Sequence, residues 1–240
     1  MGASDIFLTH GHLDHVLGVP FVISLRSQQT HTKTRVCCPA HLVDPLETLI
    51  GAAAKLEQRT YDYEIAGLEP GDTVRVGKNL EIEAFPIDHL VPGLGFHLWQ
   101  TSTCLRAELA TASPDHIVAL KKQGVRVEVE ERKLWLSYCG DTGPGVFDLD
   151  PRVFDAMLLL VECTFLDSKH VGRAARYGHL HLDDLAVRRD RFHNQELILH
   201  HWSTRYRVSQ IQQRVEERLA GVEPRVHLFG LHADEGGLRS

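Results

Sequence analysis

The sequence predicts a mixed α/β fold in which a sandwich of sheets is covered by helices. Two observations carry that expectation. Short β-rich runs alternate with helical ones along all 240 residues, and polar loops follow the strands directly. A third observation bounds it: at 43% hydrophobic and 24% charged, the chain has the composition of an ordinary globular protein and can bury a substantial core.

The β-rich runs are residues 5–9, 35–38, 73–76, 80–86, 95–100, 134–139, 156–161, 196–199 and 226–229, each apolar or alternating and each bounded by turn-forming residues. Helical periodicity marks residues 41–54, 114–122, 181–192 and 209–219. The second of these helices has the clearest start. Ser113 is a capping residue, Pro114 suits the first helical position, Asp115 complements the helix dipole, and Gly124 is a stop signal. Nothing repeats and no low-complexity linker divides the chain, so a single domain spanning 1–240 is expected.

The five cysteines are odd in number and form no C-x-x-C pair, which reads as reduced, buried thiols of a cytoplasmic protein. The N-terminus lacks the basic and apolar stretches of a signal peptide, and no apolar run reaches the length of a membrane span. No membrane partner is therefore expected. A net charge of −6 argues against a basic nucleic-acid coat. It does not exclude a nucleic-acid substrate, because two bound dications would offset four of those charges inside the cleft.

The 16 histidines are an unusually large share, and several end apolar strands. Ile6-Phe7-Leu8-Thr9 runs into His10-Gly11-His12-Leu13-Asp14-His15. A strand followed by a turn can aim His10 and His12 at one metal, with Asp14 and His15 facing a second. Imidazole and carboxylate suit Zn²⁺, and a pair of such ions activates water for hydrolysis. The competing reading, a histidine-rich loop arising by chance, is weak for so dense a motif.

Four further segments follow strands in the same way. Asp88-His89 ends one, and Cys139-Gly140-Asp141-Thr142 ends another, where the carboxylate can offer one oxygen to each of two metals. His200-His201 leads into Trp202-Ser203-Thr204-Arg205-Tyr206. Alone, each of these is as consistent with a cap or surface group as with a ligand. Glu162 ends the apolar run Leu158–Val161, where a charge is costly unless paired. It can pair with a histidine of Tyr177-Gly178-His179-Leu180-His181 as a general acid, or simply bond loop amides. His31, His41, His97, His116, His170, His193, His227 and His232 match no motif and read as surface or core residues.

The order H-x-H-x-D-H, isolated His, G-D-T, strand-borne Glu and final His resembles the metallo-β-lactamase superfamily. The finer text (THGHLDH, HLVPGLGF, GDTGPG, VECTFLD, YGHLH, LILHHWSTRY) resembles its short-form ribonuclease Z (tRNase Z) family from about Asp5 to Tyr206. The resemblance implies a four-layer αββα sandwich with a short insert at about 101–133. It implies that His10, His12 and His89 hold one zinc, that Asp14, His15 and His201 hold the other, and that Asp141 bridges them. Asp14 would also orient or deprotonate the attacking water.

Glu162 and His179 match the family's pair that assists departure of the ribose 3′ oxygen; His181 stands where the family often has a hydroxyl. Mn²⁺ or Fe²⁺ could replace the two zinc ions on the same ligands. The implied substrate is precursor tRNA, with a homodimer left open and Arg205 contacting either phosphate or a carboxylate.

Two departures qualify the resemblance. The family carries several strands ahead of its first motif, whereas here that motif begins at His10, so the N-terminal strands are expected to be missing and one sheet to show an exposed edge. The insert lacks the Gly-Pro-rich signature of bacterial arms. Its Lys121, Lys122, Arg126, Arg132 and Lys133 interleave with Glu128, Glu130 and Glu131, as on a solvated face. The rival functions are a small-molecule phosphodiesterase or other metallo-hydrolase on the same fold, and a truncated, inactive metal-binding homologue.

Overall fold

The computed structural model describes residues 5–29 and 32–231; His31 and His232 lie outside them. The chain first builds β1 (Asp5–Phe7), α1 (Leu13–Val16), α2 (Gly18–Gln29), β2 (Thr34–Pro39), α3 (Val43–Glu57) and β3 (Tyr63–Leu68). These three strands form a parallel sheet in the order β1-β2-β3. One face is sealed by helices: Val19 and Ile23 of α2 and Leu46 and Ile50 of α3 pack with Leu8, Val36 and Cys38. Burying a Leu or Ile fully contributes about 1.5–3 kcal/mol. Among the described residues β1 is an edge strand, bonded on one side only.

The second sheet has seven strands. They are β4 (Thr73–Arg75), β5 (Leu80–Pro86), β6 (Leu94–Leu105), β7 (Glu128–Tyr138), β8 (Leu158–Glu162), β9 (Glu196–His200) and β10 (Arg225–Leu228), in spatial order β10-β9-β8-β7-β6-β5-β4. The helices between them are α4 (Pro114–Lys122), α5 (Val146–Leu149), α6 (Val171–Tyr177), α7 (Leu182–Ala186) and α8 (Val208–Arg218). Strand alternation decides what each face meets. Leu159, Val161, Leu197 and Leu199 point outward into a core with α5, α7 and α8, through Phe147, Leu182, Leu185, Ile211 and Val215. The opposite face meets the first sheet through Cys37, Leu68, Ala84, Leu94 and Phe96. Helices, sheet, sheet, helices: this is the four-layer sandwich the sequence implies.

The insert is a two-stranded ribbon. Thr101 to Leu105 pair with Arg132 back to Glu128, beyond the reach of β5, and α4 sits at the far end. Ser113 caps α4, accepting from the His116 amide at 3.3 Å, and Gly124 follows with φ +78°. Two of the insert's cations are engaged. Lys121 pairs with Glu128 at 2.5 Å, and Arg132 pairs with Glu81 at 2.6 Å while its guanidinium lies 4.1 Å over Trp99.

Cys37, Cys38, Cys139 and Cys163 are buried and all five cysteines are free thiols, Cys104 being half-buried. Burial pushes the thiols of Cys37 and Cys38 up to about 11, so they remain protonated and inert. Of the unassigned histidines, His97 is a core residue. It bonds Ser137 at 2.8 Å and Asp150 at 3.2 Å and stacks on Phe85, with ring centroids 4.2 Å apart. No helix among the described residues is long and apolar enough to cross a membrane.

Candidate metal centre

The site lies where the C-terminal ends of strands from both sheets converge. β1 stops at Phe7, and the next residues stay tied to both sheets. Leu8 donates to the Cys37 carbonyl at 2.9 Å, and the Thr9 carbonyl accepts from the Leu94 amide at 2.7 Å. That second bond requires glycine at position 93, where a Cβ would stand 2.9 Å from the Thr9 oxygen and 3.1 Å from the His10 Cβ. His10 is thereby fully buried. Two residues on, His12 precedes α1, which carries Asp14 and His15.

Three groups of ligand atoms form, each with its members within 4.8 Å of one another: His10, His12 and His89; His10, His15 and Asp141; Asp141, His179 and His201. The expected residues therefore converge from five segments, with one difference. Asp14 is 76% exposed at its side chain and belongs to none of the three groups, although its Oδ2 is 3.6 Å from His15 Nε2.

The hydrogen-bond chemistry shows that the cluster suits cations. The Gly178 carbonyl can only accept, so His89 Nδ1 donates to it at 2.8 Å and Nε2 carries the lone pair. That lone pair faces His12 Nδ1 at 3.4 Å, which in turn lies 3.1 Å from His10 Nε2. Thr164 gives its one hydroxyl proton to Glu162 at 2.5 Å, so it accepts from His201 Nδ1 at 2.8 Å. His201 then presents a bare Nε2 to Asp141 Oδ2 at 3.3 Å. Acceptors facing acceptors repel unless a cation lies between them. Asp141 adds a buried Oδ1 with no partner, among the described residues, for its second lone-pair set.

Charge follows the same pattern. Burial and then repulsion from His15 lower His10 to about 4, leaving a neutral imidazole fit to ligate. Burial alone would raise Asp141, but the bond from His15 and its charge outweigh it and hold the carboxyl well below its usual range. His15, bonded to Asp141, is raised.

Backbone strain marks the last ligand. His201 has φ +61°, a region that non-glycine residues enter only when held there. It is held by the bond from the Cys163 amide to the His200 carbonyl, 2.9 Å, and by Thr164 on its ring. His200, its neighbour, lies against Tyr138, with centroids 5.6 Å apart, and belongs to none of the three groups among the described residues.

Glu162 is fully buried at the end of β8. It accepts from the Thr142 amide at 2.8 Å, from Thr164, and from His179 Nδ1 at 2.7 Å. Both readings of this residue are thus present, as it bonds loop amides and orients a histidine. Burial lowers His179, but the bond from Glu162 outweighs it and the ring's pKa is raised. Its Nε2 is left facing the metal ligands, with the ring stacked on His201 at 5.2 Å. His181 is elsewhere: its Nε2 bonds the Asp167 carbonyl at 3.0 Å and its Nδ1 caps α7.

Three supporting residues escaped the sequence reading. Thr142 bonds the Asp88 amide at 3.0 Å, Asp88 accepts from the Gly145 amide at 2.9 Å, and Thr164 joins Glu162 to His201. Their signal was the threonine directly after Asp141 and two after Glu162, which alone is too common to read. Tyr206 accepts from the Leu166 and Asp167 amides at 3.1 and 3.3 Å, anchoring the loop after β8. Arg205 bonds Ser203 and meets no carboxylate among the described residues.

A profile of the beta-lactamase superfamily domain matches residues 2–202. tRNase Z TRZ1 of Arabidopsis thaliana is 29% identical over 225 residues, covering 92% of this chain and 80% of the relative. Ribonuclease Z of Halobacterium salinarum is 28% identical over 228 residues, covering 85% and 72%. Among solved structures, human tRNase Z, short form, superposes with a TM-score of 0.59 at 21% identity over 95% of this chain and 78% of that one. The chain thus belongs to the beta-lactamase superfamily, with the fold of that family's metal-dependent hydrolases and a likeness within it to ribonuclease Z.

Proposed function

We propose that the chain is a two-metal phosphodiesterase that removes the 3′ trailer of precursor tRNA, its activity carried by one domain. The observation that supports it most is the buried Glu162–His179 pair set directly against the metal ligands. Hydrolysis of an unactivated diester needs a proton donor for a poor leaving oxygen, and the pair supplies one. The names of the similar proteins support the choice of RNA.

In this reading His10, His12 and His89 hold one ion and Asp14, His15 and His201 the other. Asp141 would serve both. Zn²⁺, or Mn²⁺ or Fe²⁺ on the same ligands, would supply Lewis acidity at the phosphate and an activated water. Asp14, exposed at the mouth, orients that water and takes its proton. Water oxygen adds to phosphorus in line, the bond to the ribose 3′ oxygen breaks, and His179 protonates the departing oxygen while Glu162 balances the imidazolium. The products are a 3′-hydroxyl on the tRNA and a 5′-phosphate on the trailer.

One observation favours a second reading, a small-molecule phosphodiesterase. The ribbon's Lys121 and Arg132 are spent on local ion pairs and give little grip on a polyanion. Incubating the metal-loaded protein with a 3′-extended precursor tRNA separates the two. Metal-dependent cleavage after the discriminator nucleotide, lowered at least about a hundredfold in Asp14→Ala, is the expected result. Hydrolysis of bis(p-nitrophenyl) phosphate with the precursor left intact would give the second reading the field.

A further inference from the structure

A cavity of about 410 Å³ opens beside the metal ligands, on the side of the general acid. His12 and His179 form its inner wall, and Leu90, Arg173, Tyr177 and Arg205 its rim. α6 brings the rim together: Arg173 and Tyr177 are four residues apart and so share a helix face, with the guanidinium 5.9 Å from the ring centroid. Arg205 arrives from the loop after His201.

The two guanidiniums of the rim differ from several nearby cations, and Arg176, which also lies 5.9 Å from the Tyr177 ring, is not part of the cavity lining. Arg214 pairs with Asp167 at 2.5 Å, Lys169 pairs with the same carboxylate at 3.7 Å, and Arg218 pairs with Asp183. Among the described residues, Arg173 and Arg205 meet no carboxylate; Arg205 only donates to Ser203 Oγ at 2.9 Å. Two exposed guanidiniums at one rim, next to a 44%-exposed tyrosine and a 62%-exposed leucine, form a surface with cationic and stacking parts. Guanidinium recognises phosphate through paired N–H donors, and an aromatic face takes any base by stacking.

We propose that this cavity is the subsite for the ribonucleotide whose 3′ oxygen leaves, with Tyr177 stacking its base and Arg173 and Arg205 binding its 5′-phosphate. The assignment of side rests on the phosphodiesterase reading above. In an in-line displacement the leaving oxygen lies opposite the attacking water, so the nucleotide that carries it must sit on the side of the residue that protonates it. That residue, His179, is in the cavity wall. The retained end of the RNA is therefore gripped here, and the departing trailer is not. Single-stranded RNA is recognised in this manner, by splayed bases on aromatic and guanidinium planes. The subsite also offers a grip on RNA that does not depend on the ribbon, whose Lys121 and Arg132 are ion-paired.

Steady-state cleavage of a 3′-extended precursor tRNA by Arg173→Ala, Tyr177→Ala and Tyr177→Phe tests it. Both positions of change are exposed, so the fold is retained. Arg173→Ala and Tyr177→Ala should each raise KM about tenfold with kcat changed by less than about twofold, and Tyr177→Phe should restore KM. Arg173→Ala should also flatten the salt dependence of KM by about one unit of the log–log slope. Wild-type cleavage with unchanged KM in both alanine variants overturns the subsite and leaves the phosphodiesterase reading standing. If the wild type leaves the precursor intact, that reading fails by itself. The subsite is then decided by fluorescence anisotropy with a labelled single-stranded oligoribonucleotide bearing a free 3′ hydroxyl: tenfold weaker binding by Arg173→Ala upholds it, and equal or absent binding overturns it.

Discussion

Asp141→Asn should lower kcat at least about a thousandfold while the protein still folds. The substitution changes almost no volume, and the side chain is 96% buried, so packing is preserved. What changes is charge and lone pairs. Asp141 Oδ2 faces His15 Nε2 at 3.2 Å and His201 Nε2 at 3.3 Å, and its Oδ1 has no partner among the described residues. Only an anionic carboxylate can give one oxygen to each of two cations, whereas an amide presents a single oxygen and an NH₂ that repels metal. The variant should keep the near-ultraviolet circular dichroism of the wild type and lose turnover on every phosphodiester. Retained activity within about tenfold would show that Asp141 does not bridge.

His179→Ala should produce the second largest effect, and one that depends on the leaving group. General acid catalysis contributes about 10²–10⁴-fold, but only where the departing oxygen needs a proton. A ribose 3′ oxygen needs one and p-nitrophenolate does not. Precursor cleavage should therefore fall by that factor, and hydrolysis of bis(p-nitrophenyl) phosphate by far less. An equal loss on both substrates would make His179 a ligand, which its place with Asp141 and His201 also permits geometrically.

The partner, Glu162, sets the working range of this acid. Its bond raises the pKa of His179, so the proton is kept to higher pH than on a free imidazole. Glu162→Gln removes the charge, and the falling basic limb of the kcat profile should move to lower pH. A limb that stays in place would mean that another group supplies the proton.

The site was more legible in the sequence than the fold around it, for a physical reason. Each ligand follows an apolar strand directly, so His10, His89, Asp141 and His201 carry a local signature that needs no long-range information. Elements without such a signature were missed. β3 reads Tyr-Glu-Ile-Ala-Gly-Leu, where Gly67 and alternating small residues weaken the strand pattern, and its pairing with β2 is what makes it a strand. α2 contains Val19, Pro20, Val22 and Ile23 within its first half, residues of low helix propensity that burial of Val19 and Ile23 overrides. The helix expected over 181–192 stops at Ala186, because its continuation forms a separate single turn at Arg189–Arg191 before Phe192 enters the core.

His179 is already preferred to His181 as the candidate by its place in the motif. The structure adds that His179 bonds Glu162 whereas His181 caps α7. Asp14 is likewise set apart from the buried His10 and Asp141 by its exposed position at the mouth, which spacing does not show.

Metal content per chain, measured by native mass spectrometry after loading with Zn²⁺ and removal of excess ion, tests the central claim most directly. Two ions per chain are expected, falling below two in Asp141→Asn. A wild-type protein that saturates at one ion, or that binds none, would contradict a two-metal centre built from His10, His12, Asp14, His15, His89, Asp141 and His201.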